Sequence, residues 1–399
     1  MTPAALADLV RSVAHGVLAD RGLDPGALPD TVTVHRLRDP QHGDYATNVA
    51  LQTGKKAGVQ PRDLAGWLAE ELSRRPGVRT VDVAGPGFIN LWLGAEAHGD
   101  ILTQVLAAGK RFGSGHELGG WRINIESVPA NRTGPVDLAD ARQVAVADAL
   151  VRILTFAGAV VTRGHASGEA ASDRRTPGYD VSIYVLGSGN ADQLTAVGAA
   201  PGSDSPTVEV LAGQQVNLVQ KAARGQLTQR GTTIADLMEA IGADATRYAL
   251  VRSAFDSPLA IDRDVWSRRT DDNPLFVIQY AHARLAALAR NAADLRVSCS
   301  DPQLTLLGHR SEGELIRTLA DLPRVVTRAA RLREPHRVAR YLEELAGAYH
   351  SFCAACRVLP LGDERPNPLH AARLVLCEAT RQVLANGLDL LDVSAPEWL

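Results

Sequence analysis

Trp121-Arg-Ile-Asn-Ile-Glu-Ser-Val-Pro-Ala-Asn-Arg-Thr-Gly-Pro-Val-Asp-Leu-Ala-Asp-Ala-Arg142 is the stretch that decides the fold class. Arg122–Ser127 carries a strand pattern, Gly134-Pro135 breaks it, and from Leu138 to Phe156 apolar residues return at helical spacing. Strand-like runs follow at Val160–Thr162, Asp180–Leu186 and Thr207–Leu211, with a short helical run at Gln193–Val197. Strands alternating with helices predict a parallel, doubly wound sheet. Gly164 to Gly178 has no apolar period and reads as a flexible surface loop. A βαβ unit needs ~30 residues, so the stretch between the 160 and 180 strands has room for only about one strand's worth of ordered chain.

Outward from this centre the pattern changes on both sides. Leu6, Leu9, Val10, Val13 and Val17 form one helical stripe, and short strands are expected at Val32–His35, Thr80–Val83 and Phe88–Leu93, with a helix at Arg62–Leu72. This small α+β unit ends near Gly113-Ser114-Gly115. From Asn273 onward the periodicity is helical, over Val277–Leu288, Leu315–Leu332, Val338–Val358 and Leu369–Leu390. The expectation is an α/β plus all-α chain: an α+β domain at 1–115, a reduced parallel sheet at 116–270 and an α-helical bundle at 271–399.

Composition narrows the class. The chain has 399 residues, 45% hydrophobic and 22% charged, the values of an ordinary soluble globular protein. Asp8, Arg11 and His15 interrupt the first apolar run, so no signal peptide or spanning helix is expected and the cytoplasm is the default. Cys299, Cys353, Cys356 and Cys377 are too few for a disulfide framework, and Cys353-Ala-Ala-Cys356 lacks the second pair of a zinc site. They read as small buried residues in a reduced compartment. The net charge of −3 gives no global nucleic-acid signal. Locally, Arg324, Arg328, Arg331, Arg333, Arg337 and Arg340 are opposed only by Glu334, with Pro335 expected to separate two helices. Such a cluster suits a phosphate backbone, or equally a solvated surface.

Several separated blocks carry a resemblance. They are Gly43-Asp-Tyr-Ala-Thr-Asn-Val-Ala-Leu51, Gly85-Pro-Gly-Phe-Ile-Asn-Leu91, Ile183-Tyr-Val-Leu-Gly187, Gln214-Gln-Val-Asn-Leu218, Asp256-Ser-Pro-Leu259, Gln279-Tyr-Ala-His-Ala-Arg284, Cys356-Arg-Val-Leu359 and Leu391-Asp-Val-Ser-Ala-Pro-Glu397. In order and over nearly the whole chain they resemble arginyl-tRNA synthetases, of class I. The resemblance implies an amino-terminal D-loop-binding domain, a Rossmann-like catalytic domain and a helical anticodon-binding domain. It also implies a longer stretch between the 160 and 180 strands than this chain has.

Where that family has the two histidines of its HIGH turn, which hold ATP phosphates, this chain has Asp137 and Asp140. Two carboxylates there oppose phosphate, and either suits a helix cap; a magnesium or guanidinium site is the lesser alternative. The lysine positions of the KMSK loop correspond to Gln226 and Gln229, which leaves Arg230 with Lys221 and Arg224 nearby. After Leu186, Ser188-Gly-Asn-Ala-Asp192 replaces acid and histidine groups of the substrate site. Asn131 and Gly134 match the pocket, while Pro129 replaces a serine. The tRNA-facing positions are better kept. Phe88 and Asn90 match an aromatic and an amide that read a D-loop base from one strand face. Tyr280, Arg284 and Tyr349 correspond to regions near the anticodon loop, with plain packing an equal reading for either tyrosine, whereas Trp398-Leu399 departs from the family's ending. The expected partner is therefore tRNA, an arginine isoacceptor, rather than DNA or a membrane. Catalytic loss is expected, with no cofactor, and ATP enters only if residual arginine–tRNA ligation persists. An arginine-sensing or protein-binding regulator is the third reading.

Overall fold

The computed structural model describes residues 1–37, 39–128, 136–165, 178–188, 207–222, 225–229, 233–297 and 302–399. The predicted helix at 193–197 and nearly all of the predicted 164–178 loop lie outside them. The chain divides into two compact units, one of residues 1–108, 289–324 and 351–380, the other of 109–288, 325–350 and 381–399.

The first unit begins with α1 (Pro3–Asp20), where Pro3 occupies a first-turn position that has no use for its missing N–H and the Thr2 hydroxyl accepts from Ala5 N. Strands β1 (Val34–Arg36) and β2 (Tyr45–Thr47) precede α2 (Val49–Gly54) and α3 (Pro61–Ser73); β3 (Val78–Ala84), β4 (Phe88–Leu93) and α4 (Ala95–Ala108) follow. The strands pair antiparallel in the order β1-β2-β4-β3. Alternation along β4 turns Ile89, Leu91 and Leu93 inward, where they are buried with Leu6, Val10, Leu64 and Leu68 of α1 and α3. Phe88, Asn90 and Trp92 take the opposite face. The β3–β4 turn needs Gly87, whose φ is 141° and whose added Cβ would lie 2.9 Å from Pro61 O.

The second unit holds β5 (Arg122–Val128), α5 (Leu138–Phe156), β6 (Val160–His165), β7 (Val181–Leu186) and β8 (Thr207–Ala212). Their order is β6-β5-β7-β8, all parallel, as the strand–helix alternation predicts. A three-stranded sheet follows. In it β9 (Val216–Ala222) forms an antiparallel hairpin with β10 (Gly225–Gln229) and runs parallel to β11 (Leu259–Asp262). Helices α6 (Ile234–Ile241), α7 (Ala243–Val251) and α8 (Arg263–Trp266) complete this part.

The carboxy-terminal helices are α9 (Pro274–Asp294), α10 (Arg310–Ala320), α11 (Leu322–Leu332), α12 (His336–Ala355) and α13 (Pro368–Leu390). The single helix expected over Leu315–Leu332 is two, broken at Asp321. Pro323 has no N–H to continue the first helix and suits only the opening turn of the second. Between α11 and α12 the chain turns through Arg333 (φ 57°) and Pro335, as expected. No helix among the described residues is long and apolar enough to cross a membrane.

Candidate functional site

Asp137 sits at the head of α5 with extended backbone (φ −74°, ψ 170°), and its carboxylate accepts from Asp140 N at 2.7 Å. One of the first-turn donors that would greet an anion is thus taken by the chain itself. Asp140 is 3% exposed. One turn further, Gln143 Oε1 accepts from Gly187 N at 2.7 Å, and an added Cβ on Gly187 would lie 3.5 Å from Asp140 Oδ1. The end of β7 therefore closes against the first turns of α5. A second helix start lies alongside: Asp137 forms an isolated antiparallel bridge with Thr233, and Ile234 N donates to Val136 O at 3.0 Å. There Thr233 and Asp236 make a reciprocal capping box, and the Thr233 N–H and hydroxyl hold the Asp236 carboxyl below the usual carboxylate range. Two neighbouring helix starts are each sealed by their own acid.

Other positions singled out from the sequence fare unevenly. Asn131, Gly134, Arg224 and Arg230 lie outside the described residues. Gln226 and Gln229 fall on β10, opposite Lys221 and Leu218 of β9.

Two interior groups stand out in the same unit. Arg142 is fully buried, and its guanidinium donates to the carbonyls of Ala254 (2.7 Å), Ser257 (2.8 Å), Leu250 (3.3 Å) and Ser253 (3.4 Å), with the Phe255 ring 5.5 Å away. Burial lowers its pKa to about 10. It ties α5 to the Asp256-Ser257-Pro258 block. The one sequence signal is its place on the apolar stripe between Leu138 and Val146. Asn124 and Glu126, both 4% exposed, share one face of β5, where Asn124 donates to Glu126 Oε1 at 2.8 Å. Among the described residues, Glu126 Oε2 and Ser182 Oγ of adjacent β7 are buried without a hydrogen-bond partner.

On the open face of the first unit's sheet, Phe88 is 43% exposed, and Asn90 lies between Ala46 of β2 and Asp82 of β3. Trp92 continues the stripe opposite Thr80. Phe88 and Asn90 thus share the strand face expected of them, with an exposed ring beside an amide.

The Gln279–Arg284 block divides its labour. Gln279 donates to Ser394 O at 3.0 Å and His282 Nδ1 lies 2.9 Å from Pro396 O, so these side chains hold the carboxy-terminal segment. Tyr280 and Arg284 face outward, Tyr280 being 42% exposed and stacked on Phe276 at 5.6 Å. Tyr349 is a correction: it is 0% exposed and packs beside His350 in α12, so its ring presents no face to an RNA base. Trp398 is 74% exposed. Of the six clustered arginines, Arg324 pairs with Asp321, Arg331 with Glu117, Arg333 with Glu209 and Arg337 with Glu334. That leaves Arg328 and Arg340 without an ion pair among the described residues, a weak phosphate surface. Cys353, Cys356 and Cys377 form no disulfide among the described residues.

Comparison with known proteins agrees with this geometry at both ends of the chain. Residues 4–93 match the arginyl tRNA synthetase N terminal domain model, and residues 278–399 match the DALR anticodon binding domain model. Among solved structures, Thermus thermophilus arginyl-tRNA synthetase is 16% identical with a TM-score of 0.68, over 99% of this chain and 100% of that one. Plasmodium falciparum arginyl-tRNA synthetase is 11% identical with a TM-score of 0.71, over 100% of each chain. A putative arginyl-tRNA synthetase from Campylobacter jejuni is 15% identical with a TM-score of 0.61, over 77% of this chain and 100% of that one. At these identities the structural likeness is one of fold. The chain is arginyl-tRNA synthetase-like: an amino-terminal domain of that type, a parallel sheet and a helical anticodon-binding domain.

Proposed function

We propose that this chain binds tRNA, an arginine isoacceptor, and has lost the ATP-dependent activation of arginine. Its functional modules are those expected at 1–115, 116–270 and 271–399. The observation that carries the catalytic half is the capped start of α5. A triphosphate there would meet the Asp137 carboxylate in place of a free N–H, with buried Asp140 behind it. A carboxylate ~4 Å from a phosphate charge opposes binding by on the order of 4 kcal/mol at an effective dielectric of about 20. The residues at this turn do not fit ATP, and glutamines at 226 and 229 supply no compensating charge. The RNA half is supported by the domain matches and by Phe88 and Asn90 on an open sheet face. Tyr280 and Arg284 on the outer face of α9 extend it.

ATP–pyrophosphate exchange, measured with arginine and tRNA both present, tests the catalytic half. The expected result is no exchange above the enzyme-free blank, and measurable exchange would reinstate residual arginine–tRNA ligation. One observation favours a second reading. Glu126 keeps a buried carboxylate oxygen without a partner among the described residues, which suits a guanidinium or amine. Arginine-dependent thermal stabilisation, abolished in Glu126→Gln and accompanied by no RNA binding, would favour a sensor.

A further inference from the structure

A cleft of about 240 Å³ lies in the first unit, at the end of the Phe88-Asn90-Trp92 stripe. Trp92 forms one wall; Arg79, His98, His309, Arg310 and Arg317 supply its cationic and imidazole groups, and Asp44 its one carboxylate. The carboxylate is already satisfied. Asp44 accepts from Arg317 at 2.6 Å and from Leu93 N at 2.7 Å, and Arg317 also donates to Glu314 at 2.9 Å. Arg79 and Arg310 are exposed and form no ion pair among the described residues, so their charge is available. His98 is 9% exposed, yet its Nε2 is buried with no hydrogen-bond partner among the described residues. Such a group is costly to leave unsatisfied, and a ligand acceptor would satisfy it. Gly313 keeps the space open, since an added Cβ would lie 3.2 Å from Arg317 Nη1 and 3.6 Å from His98 Cε1. At the start of α10 the His309 and Ser311 backbone N–H groups are taken by the Glu312 carboxylate and the His309 Nδ1 of its capping box. The side-chain donors singled out are the exposed Arg79 and Arg310 guanidinium groups and the buried His98 imidazole.

We propose that this cleft holds a phosphate of the RNA strand whose base stacks on Phe88, with Arg79, Arg310 and His98 Nε2–H as donors. The assignment rests on the tRNA-binding reading and adds a backbone contact to it. Phe88 and Trp92 are four residues apart on one strand face, about 13 Å at 3.3 Å per residue. The aromatic stripe thus leads from an exposed stacking position to the cationic cleft. Burial keeps the His98 imidazole neutral at neutral pH, with a pKa of about 4, so it acts as a hydrogen-bond donor and the arginines supply the charge.

The test measures affinity of the full-length protein for a transcribed arginine tRNA across a salt series. It compares wild type, Arg79→Gln/Arg310→Gln and Asn90→Ala. Each single-strand phosphate contact contributes roughly 0.7 to the slope of log affinity against log salt. The double variant should therefore lose about 1.4 of slope, while Asn90→Ala weakens binding at every salt with the wild-type slope. An unchanged slope in the double variant, with Asn90→Ala weakened, overturns the cleft assignment and leaves tRNA binding standing. Wild type that binds no tRNA removes both together. Inorganic phosphate alone, followed through the His98 imidazole resonances, distinguishes the source. A shift reversed by tRNA supports the assignment; a shift that tRNA leaves untouched gives the cleft to free phosphate and overturns it.

Discussion

Replacing Asp137 by alanine should destabilise the protein by about 1 kcal/mol, within a range of roughly 0.5–2 for lost amino-terminal caps. The hydrogen bond removed is short, 2.7 Å from Asp140 N, and the acceptor is charged. Asp137 is exposed, so its attraction to the helix dipole adds only the lower part of ~0.3–1 kcal/mol. The rest of α5 is held by Leu138, Val146, Leu150, Ile153 and Leu154, all buried, which confines the loss to the first turn. Asp137→Asn keeps the acceptor and discards the charge, so it should lose only a few tenths of a kcal/mol. Urea unfolding midpoints at constant m-value read the difference. Alanine as stable as wild type, or more stable, would refute the cap and return the carboxylate to a ligand role, such as a bound cation. Magnesium that raises the wild-type midpoint but not that of Asp137→Asn would identify that role.

Three further outcomes follow from the same packing. Arg142→Met should destabilise by at least about 3 kcal/mol in urea, because four inward carbonyls lose their donor; near-neutrality would mean that the helix-to-loop tie is dispensable. The His98 pKa falls from the ordinary 6.5 to about 4, chiefly by burial. The folded state therefore refuses a proton that the unfolded chain accepts. Stability should drop by about 3 kcal/mol as pH falls from 6.5 to 4, and His98→Asn should flatten that part of the stability–pH curve. Tyr349→Ala should lower stability by about 3–5 kcal/mol, whereas Tyr280→Ala should leave stability nearly unchanged and weaken tRNA binding; the reverse order would mean that their exposures are misassigned.

Much of the fold is legible wherever one periodicity runs uninterrupted. The expected helix Leu138–Phe156 has those bounds, and the strands of the parallel sheet fall where the apolar runs lie. Helix breaks depend on single residues, and Pro323 outweighs the continuous apolar period around it. The hairpin of β9 and β10 is illegible because its pairing, Leu227 against Gln220 for example, follows register rather than composition. Site residues divide by the range of their partners. Asp137 is readable as a cap because its partner is three positions away. Arg142 and His98 are not, since their surroundings come from distant segments: the end of α7 and the turn after it for one, Arg317 and Arg79 for the other. The two tyrosines were separable in principle. Tyr349 follows Leu342, Leu345 and Ala346 at helical spacing on a buried stripe, while Tyr280 shares the Phe276–Arg284 row.

The most direct test of the central claim is sequencing of the RNA retained by the purified full-length protein from total cellular RNA, with Phe88→Ala and Asn90→Ala in parallel. The account predicts enrichment of one tRNA family, arginine isoacceptors, lost by roughly 1–3 kcal/mol of stacking in the Phe88 variant. RNA retained no better than by a control protein, or enrichment indifferent to both substitutions, would contradict it.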